Sequence, residues 1–589
     1  MAQNDTVVFS ARGGFYYDVL PLELYNIHPE NHIRYTTNGN RPDAHSPLYV
    51  DSLVLDERMY SNSDIYTIVN CPEQDFFLPD SVQHCIVIRA AVFDENDSCV
   101  SRVMTQSYFI RALGCDTHGL PVVSLCVDSL DLFDYETGIF VPGMHYDPLD
   151  SSWTGNYYEE GREWERPINI EFYELENTGI NQQAGLRTHG GNGRRFQQKS
   201  LKIYAREEYG KKRFKHKFFE TIPQNSFKHL ALKPFAASWN QSGVNDHICN
   251  QIASQLNVES LASRPVVLYI NGEYWGIYYI HERPDERYLE DHFDVDIDSV
   301  NLIWAWNPFA DCGTTDHFLE LFHWMEEADL RTPEAYDYVK TKIDLDNFID
   351  YQIFELFSEN EDWPVNNMRC WQEGDGKWRW IFFDGDACLR WMTFYAFDNA
   401  VCDGDDYWPS NWRSTLFFRR LIENEEFKAL FHARFNELLG SAFDYSVTGR
   451  IYSHVRSTIE QEVPYQSERF AFPENVEAWN RGMAQVNWFL LKRSEYIQMP
   501  LDSLVGVDSY FCEPLSCYPN PSTDEIHVYI DPDPSDTNEI AIYDMLGRKV
   551  YAQPCVVTDD PTGITIQPQL GAGVYLLRIG DYIQKIVRY

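Results

Sequence analysis

The chain has 589 residues, too many for one ordinary core, and its 44% hydrophobic and 15% aromatic content is that of a folded multidomain protein, not a disordered one. With 90 acidic against 48 basic residues the net charge is −42, a field that repels phosphates and excludes nucleic acid or an anionic membrane surface as the main partner. No run reaches the length of a transmembrane segment, and the start MAQNDTVVF lacks the basic-then-apolar order of a signal peptide.

Residues 1–113 read as β structure. IRYTTNGNRP at 33–42 is a strand ending in an Asn-Gly turn, CIVIRAAVFDEND at 85–97 is a strand ending in a polar turn, and SRVMTQSYFI at 101–110 alternates. Short strands at this spacing predict a small β-sandwich. Residues 114–498 form the large middle, opening with LPVVSLCVDSLDLFDYETGIFVPG and continuing through strands at 169–233. Helical periodicity dominates afterwards, at 316–328, 345–360, 414–440 and 483–498. A strand-rich first part followed by a helix-rich second part predicts an α+β domain of two lobes, with a ligand between them. Residues 499–515 read as a linker, and 516–589 return to short alternating strands, a second predicted β-sandwich. The 13 cysteines are scattered with no C-x-x-C pair. Cys512 and Cys517 are candidates for a bridge, and Cys126, Cys249, Cys370 and Cys388 read as buried free thiols.

Chemistry-bearing residues concentrate in the middle region. Gly190, Gly191 and Gly193 allow a tight turn that points backbone N–H groups at an anion, with Arg187, Arg194, Arg195, Lys199 and Lys202 close by. The sequence is neither a Walker A motif nor G-x-G-x-x-G, and a basic surface hairpin fits it as well. NGEYWGIYYIHERPD predicts a hairpin whose second strand ends at His281 and Glu282. Glu282 is a candidate nucleotide contact or strand-end salt bridge, and the pair is not the i, i+4 histidine arrangement of a zinc peptidase. In EDWPVNN, Pro364 stops the preceding helix, and Asp362 stands five residues before Asn367. WRWIFF then delivers Asp384 and Asp386 to a strand end, with Gly385 leaving both on one extended face. The five-residue interval is that of the D-x-x-x-x-N catalytic loop, and the strand parallels the one leading to a metal-binding Asp. Asp362 is therefore the candidate base for an acceptor hydroxyl; Asn367 and Asp384 are candidate Mg²⁺ ligands, Asp386 a second one, and Asn366 an alternative to Asn367, while a solvated acidic hairpin rim fits the same residues when they are read alone. DGDDYW at 403–408 lacks the spacing and distal Glu of a calcium loop, and there is no G-x-S-x-G elbow.

Three resemblances accompany these readings. YTTNGNRP, SPLYV, IRAAVF and SYFI resemble the β-sandwich module at the C-terminus of chitobiases and hexosaminidases, over most of residues 25–111. This implies an accessory module without catalytic groups. YPNP, the IYDMLGR box, GVYLL and KIVR resemble the C-terminal sorting domain of the type IX secretion system of Bacteroidetes. This implies delivery by that machinery to the cell exterior, with any leader trimmed or upstream. LFDYETGIFV, LRTHGGNGRRFQQKSLKIYAREEYG, INGEYWGIYYIHERPD, EDWPVNN and FFDGD resemble, in that order, the CotH family of atypical protein kinases. The family pattern makes Lys199 the nucleotide-binding lysine, Lys202 its reserve, and Arg195 and Glu282 further contacts. It implies transfer of the γ-phosphoryl of ATP to Ser or Thr of an extracytoplasmic protein, with Mg²⁺. A CotH-fold surface scaffold or adhesin without activity is the alternative; a carbohydrate-active enzyme is suggested only by the N-terminal module.

Overall fold

In the computed structural model, residues 5–506 are described except 57, 60–63, 112–117, 151–152, 176–177, 236–240, 306 and 405–408, followed by 515–518, 526–530, 539–544, 548–554, 564–571, 573–579 and 582–588. The expected Cys512–Cys517 bridge and most of the DGDDYW loop lie outside these residues. The chain divides into two compact units, one of Met1–Arg390 with Asp398–Leu491 and one of Trp391–Phe397 with Lys492–Tyr589.

The first unit begins with a four-stranded sheet in the order Gly14–Tyr17, Met104–Arg111, Ile86–Phe93, His32–Thr36, and two short ribbons. Ile86, Ile88, Ala90 and Val92 alternate into its core with Leu22, Ile33 and Leu55. This N-terminal region is bonded directly to the Glu273–His281 strand and its turn. The wholly buried Glu273 carboxylate accepts from Ile65 N (2.7 Å) and Tyr66 N (2.8 Å), and Cys85 N donates to Gly272 O.

The strand-rich part of the middle region closes into a seven-stranded barrel. Its order is Arg166–Tyr173, Thr178–His189, Ser200–Tyr204, His229–Pro234, Glu273–His281, Ser263–Ile270, Val122–Val127. All neighbours are antiparallel except the last two strands, which run parallel. Every second residue fills the interior, among them Ile168, Ile170, Leu186, Leu201, Ile203, Leu230, Leu232 and Ile280. The predicted hairpin is present: Asn271 and Gly272 turn at φ 51° and 87°, the left-handed pair that matches strand twist.

The helix-rich part carries a four-stranded antiparallel sheet, Phe309–Cys312, Val300–Trp304, Arg369–Glu373, Arg379–Ile381. Helix Leu345–Ser358 is buried over residues 347–358, and several of its polar side chains find partners inside the protein. Asp350, for example, accepts twice from Arg434 at 2.8 Å. The span 414–440 is two helices, not one. Asn424 caps the second, accepting from Phe427 N, which separates Trp412–Leu421 from Glu425–Leu439.

The second unit includes a helix, Gln498–Leu504, at the start of the expected linker. Its β structure is a three-stranded sheet, Leu515–Tyr518, Ile526–Ile530, Ile564–Ile566, and a four-stranded one, Lys549–Pro554, Glu539–Asp544, Gly573–Ile579, Tyr582–Arg588. Ile526, Ile540, Ile542, Ile566, Leu577 and Ile586 form its core. Among the described residues no helix is long and apolar enough to cross a membrane.

Candidate functional site

The barrel's inward residues fix which side chains point out. Cross-strand register aligns Arg187, Lys202, Ala231 and His281 on the outer face, and Lys233 follows Ala231 two residues on. Lys233 is near the end of its strand, and the chain then enters helix Asn245–Ala253, which carries Asp246 in its first turn. Lys233 Nζ pairs with Asp246 Oδ2 at 3.1 Å and with Asp384 Oδ1. Asp246 also meets His281 Nε2 at 2.9 Å and accepts from Gly385 N at 2.7 Å. One carboxylate thus ties the barrel, the helix and the Asp384 loop together. Its pKa is held far below the usual range because Lys233 and His281 outweigh its burial.

The segment 359–367 follows the buried helix. Glu359 ends the helix at φ 52°. Asn360 then anchors the turn: its Nδ2 donates to Glu355 Oε2 (2.8 Å) and its Oδ1 accepts from Asp362 N (3.2 Å). Asn367, at φ 57°, directs Nδ2 to Asp384 O at 3.4 Å. Asp384 itself turns at φ 65°, and Gly385–Ala387 is a 3-10 turn. The expected extended face for Asp384 and Asp386 is therefore not formed; a left-handed residue and a helical turn follow the strand instead.

The carboxylates are nevertheless brought together. Burial and the charge of Asp384 push Asp362 up to about 6, against the opposing pull of Arg390 and Lys233. Burial, then Asp384, Asp246 and Asp362, raise Asp386 well above the carboxylate range, with Lys233 opposing. Asp362, Asp384 and Asp386 thus feel one another's charge, and Asn367 donates to the Asp384 carbonyl. Among the described residues no three His, Cys, Asp or Glu side chains stand in ligating geometry, and the Lys233 ammonium bridges two of the carboxylates.

A basic patch adjoins the carboxylates. Burial pushes Lys202 down to about 6, and Arg283, Arg194 and Arg369 lower it further. Burial and neighbouring cations, Lys202 first among them, hold His189 well below its usual range. Arg369 stands two residues beyond Asn367, stacks 4.2 Å from the Trp304 ring, pairs with Asp311 at 2.7 Å and donates to Pro284 O. Arg283 pairs with Asp285 at 3.3 Å. Basic groups thus cluster here in a chain of net charge −42, with Arg283 and Arg369 each paired to a carboxylate.

The other predicted residues have different surroundings. Lys199 is wholly buried, donates to Arg194 O and Phe196 O at 2.8 Å each, and lies 4.3 Å from the Tyr157 ring. Burial pushes its amine down to about 7. It clasps the Gly-rich turn through these two carbonyls. Arg195 lies over Phe196 and acts on Tyr157 and Tyr158. Glu282 accepts from Ala262 N (3.0 Å) and meets His292 at 2.7 Å, the strand-end salt bridge of the sequence reading.

Lys233, Asp246, His281, Arg283 and Arg369 complete the site, and sequence reasoning missed them as members of it. The signals available were a lone Lys in the alternating strand HLALKP, an acid in the first turn of the next helix, and Arg two residues after Asn367.

Comparison with protein families gives three matches. The CotH kinase protein model covers residues 186–497, the secretion system C-terminal sorting domain residues 516–588, and the Fn3 associated model residues 22–108. No curated protein matches the chain. The sorting domain marks the protein as secreted or displayed at the cell surface by the type IX route. The CotH model spans more than half of the chain, from the Gly-rich turn through the carboxylate loop, and the protein belongs to the CotH kinase family.

Proposed function

We propose that the protein is an exported kinase that moves the γ-phosphoryl group of ATP to Ser or Thr of an extracytoplasmic protein. The observation that carries this reading is the Lys233 bridge, which links a barrel strand, the acid of the next helix and the Asp384 loop beside Asp362. A strand lysine paired with an acid of the neighbouring helix, next to a base and a metal-binding loop, is how protein kinases organise phosphoryl transfer.

Lys233 orients phosphate oxygens, and Asp246 keeps the lysine charged and aimed. Arg283 and Arg369 receive the remaining phosphate charge, which in turn favours the protonated form of Lys202. Asp362 accepts the proton of the acceptor hydroxyl; a pKa near 6 leaves it ionised at neutral pH yet more basic than an ordinary carboxylate. Asn367, Asp384 and Asp386 would hold Mg²⁺. Their oxygen donors suit a hard cation, and burial, followed by the charges of Asp384, Asp246 and Asp362, raises Asp386, a cost that a bound cation would offset. Mg²⁺ held there would supply positive charge to offset that of the phosphates.

We assign the kinase-like domain to 114–498, because barrel strands Val122–Val127 and Arg166–Tyr173 precede the matched region. The barrel and the helix-rich part serve as the two lobes, flanked by β-sandwiches at 1–113 and 516–589, with a linker at 499–515. The test is phosphopeptide mass spectrometry after incubating the full chain with ATP, Mg²⁺ and surface proteins of the producing cell. New phospho-Ser or phospho-Thr that disappears in Asp362→Asn supports the reading. Transfer undiminished in Asp362→Asn, or no transfer by the wild type, contradicts it and favours a scaffold.

A further inference from the structure

Directly behind the carboxylate loop, two thiols meet. Cys249 lies on helix Asn245–Ala253, three residues after Asp246, and Cys388 follows Asp386 by two. Both are wholly buried, and each thiol feels the other. The backbones around them are held from both sides. Asn245 Nδ2 donates to Cys388 O at 2.5 Å, and Gly385 N donates to Asp246 Oδ1 at 2.7 Å. The approach is close enough that a Cβ added to Gly385 would lie 2.9 Å from Cys249 Cβ and 3.4 Å from its Sγ.

Other described cysteines direct their thiols elsewhere: Cys126 to Gly39 O, Cys99 to Ser101 O and Cys312 to Val300 O. With 139 residues between them in the chain numbering, Cys249 and Cys388 give no sign of their meeting in the sequence.

We propose that Cys249 and Cys388 form a disulfide in the exported protein, a cross-link that fixes helix Asn245–Ala253 to the loop bearing Asp384 and Asp386. Export puts the chain in an oxidising environment, where adjacent thiols become disulfides. Thiols on segments held this close need only side-chain rotation and a small backbone adjustment to reach an S–S bond of about 2.05 Å. In the reaction the two S–H bonds break and one Sγ–Sγ bond forms. The two protons and two electrons pass to the disulfide of a protein thiol–disulfide oxidant, which becomes a dithiol. The exchange occurs during folding, before the sulfurs are enclosed. Once formed, the bond is shielded by that same burial. It sets the distance between the two acids that share Lys233, and so pre-organises the loop.

The test uses full-length protein recovered after export, denatured in iodoacetamide without reductant, and digested. The expected result is one linked species containing the Cys249 and Cys388 peptides, split by reductant. Both cysteines carbamidomethylated before reduction would overturn the proposal. A second measurement compares thermal midpoints with and without dithiothreitol. The wild type should lose about 4 °C, and a Cys249→Ala/Cys388→Ala variant should not respond. Equal responses of the two proteins would also overturn it.

Discussion

Lys233 Nζ stands 3.1 Å from Asp246 Oδ2, and this strand-to-helix ion pair is the joint on which the carboxylate loop closes. Both side chains are largely buried, so each depends on the other for its charge to be tolerated. Lys233→Met should destabilise the protein by about 3 kcal/mol, because it strands the buried Asp246 carboxylate. Lys233→Met with Asp246→Asn should recover part of that loss. A denaturant-melt double-mutant cycle measures the coupling, and additive losses would mean the pair is not a unit.

The loop bearing Asp362 depends on the Glu355–Asn360 bridge. Asn360→Ala removes the acceptor for Asp362 N and should lower phosphate transfer by about tenfold, with Asp362 still present. Burial pushes Glu355 up to about 8, so it is protonated at neutral pH. Glu355→Gln should therefore preserve stability at pH 7, whereas Glu355→Ala should cost about 2 kcal/mol. Equal melting curves for the Gln and Ala variants would contradict this.

Two glycines of the Gly-rich turn differ in what they require. Gly190 has φ 93°, so Gly190→Ala should cost about 1 kcal/mol through backbone strain. A Cβ on Gly193 meets nothing within 4 Å, and Gly193→Ser should leave thermal stability unchanged. Calorimetry of the two variants distinguishes a requirement for conformation from one for space.

Glu171 couples the N-terminal sheet to the barrel. Its carboxylate accepts from Ser107 Oγ (2.5 Å), Tyr173 OH (2.6 Å) and Asn181 Nδ2 (2.9 Å), and burial raises its pKa from 4.5 to about 7. Between these values the folded state keeps a proton that the unfolded state releases. The contribution is complete below pH 4.5 and is lost as pH rises through about 7. It amounts to about 3 kcal/mol. Glu171→Gln should flatten that part of the stability-versus-pH curve; an unchanged curve would show that Glu171 titrates normally.

Local features were legible in the sequence. The Asn271–Gly272 turn, the helix at 345–358 and the five-residue step from Asp362 to Asn367 depend on neighbours in the chain. Barrel closure was not legible, since it pairs Val122–Val127 with Ser263–Ile270 across more than a hundred residues. Lys233 and Asp384 meet across a comparable separation, which no spacing announces. The surroundings of Lys199 were not legible either, because a lysine after a Gly-Arg turn fits a phosphate ligand as well as a clasp on the carbonyls of Arg194 and Phe196.

The central claim is that the Lys233–Asp384 centre and the adjoining cations receive a nucleotide triphosphate. Isothermal titration of the full chain with ATP in the presence of Mg²⁺ tests it most directly. One site should be filled per chain, with affinity reduced at least about tenfold, or 1.4 kcal/mol, in Lys233→Met that remains folded by circular dichroism. No binding by the wild type at millimolar ATP, or binding unchanged by Lys233→Met, would contradict it.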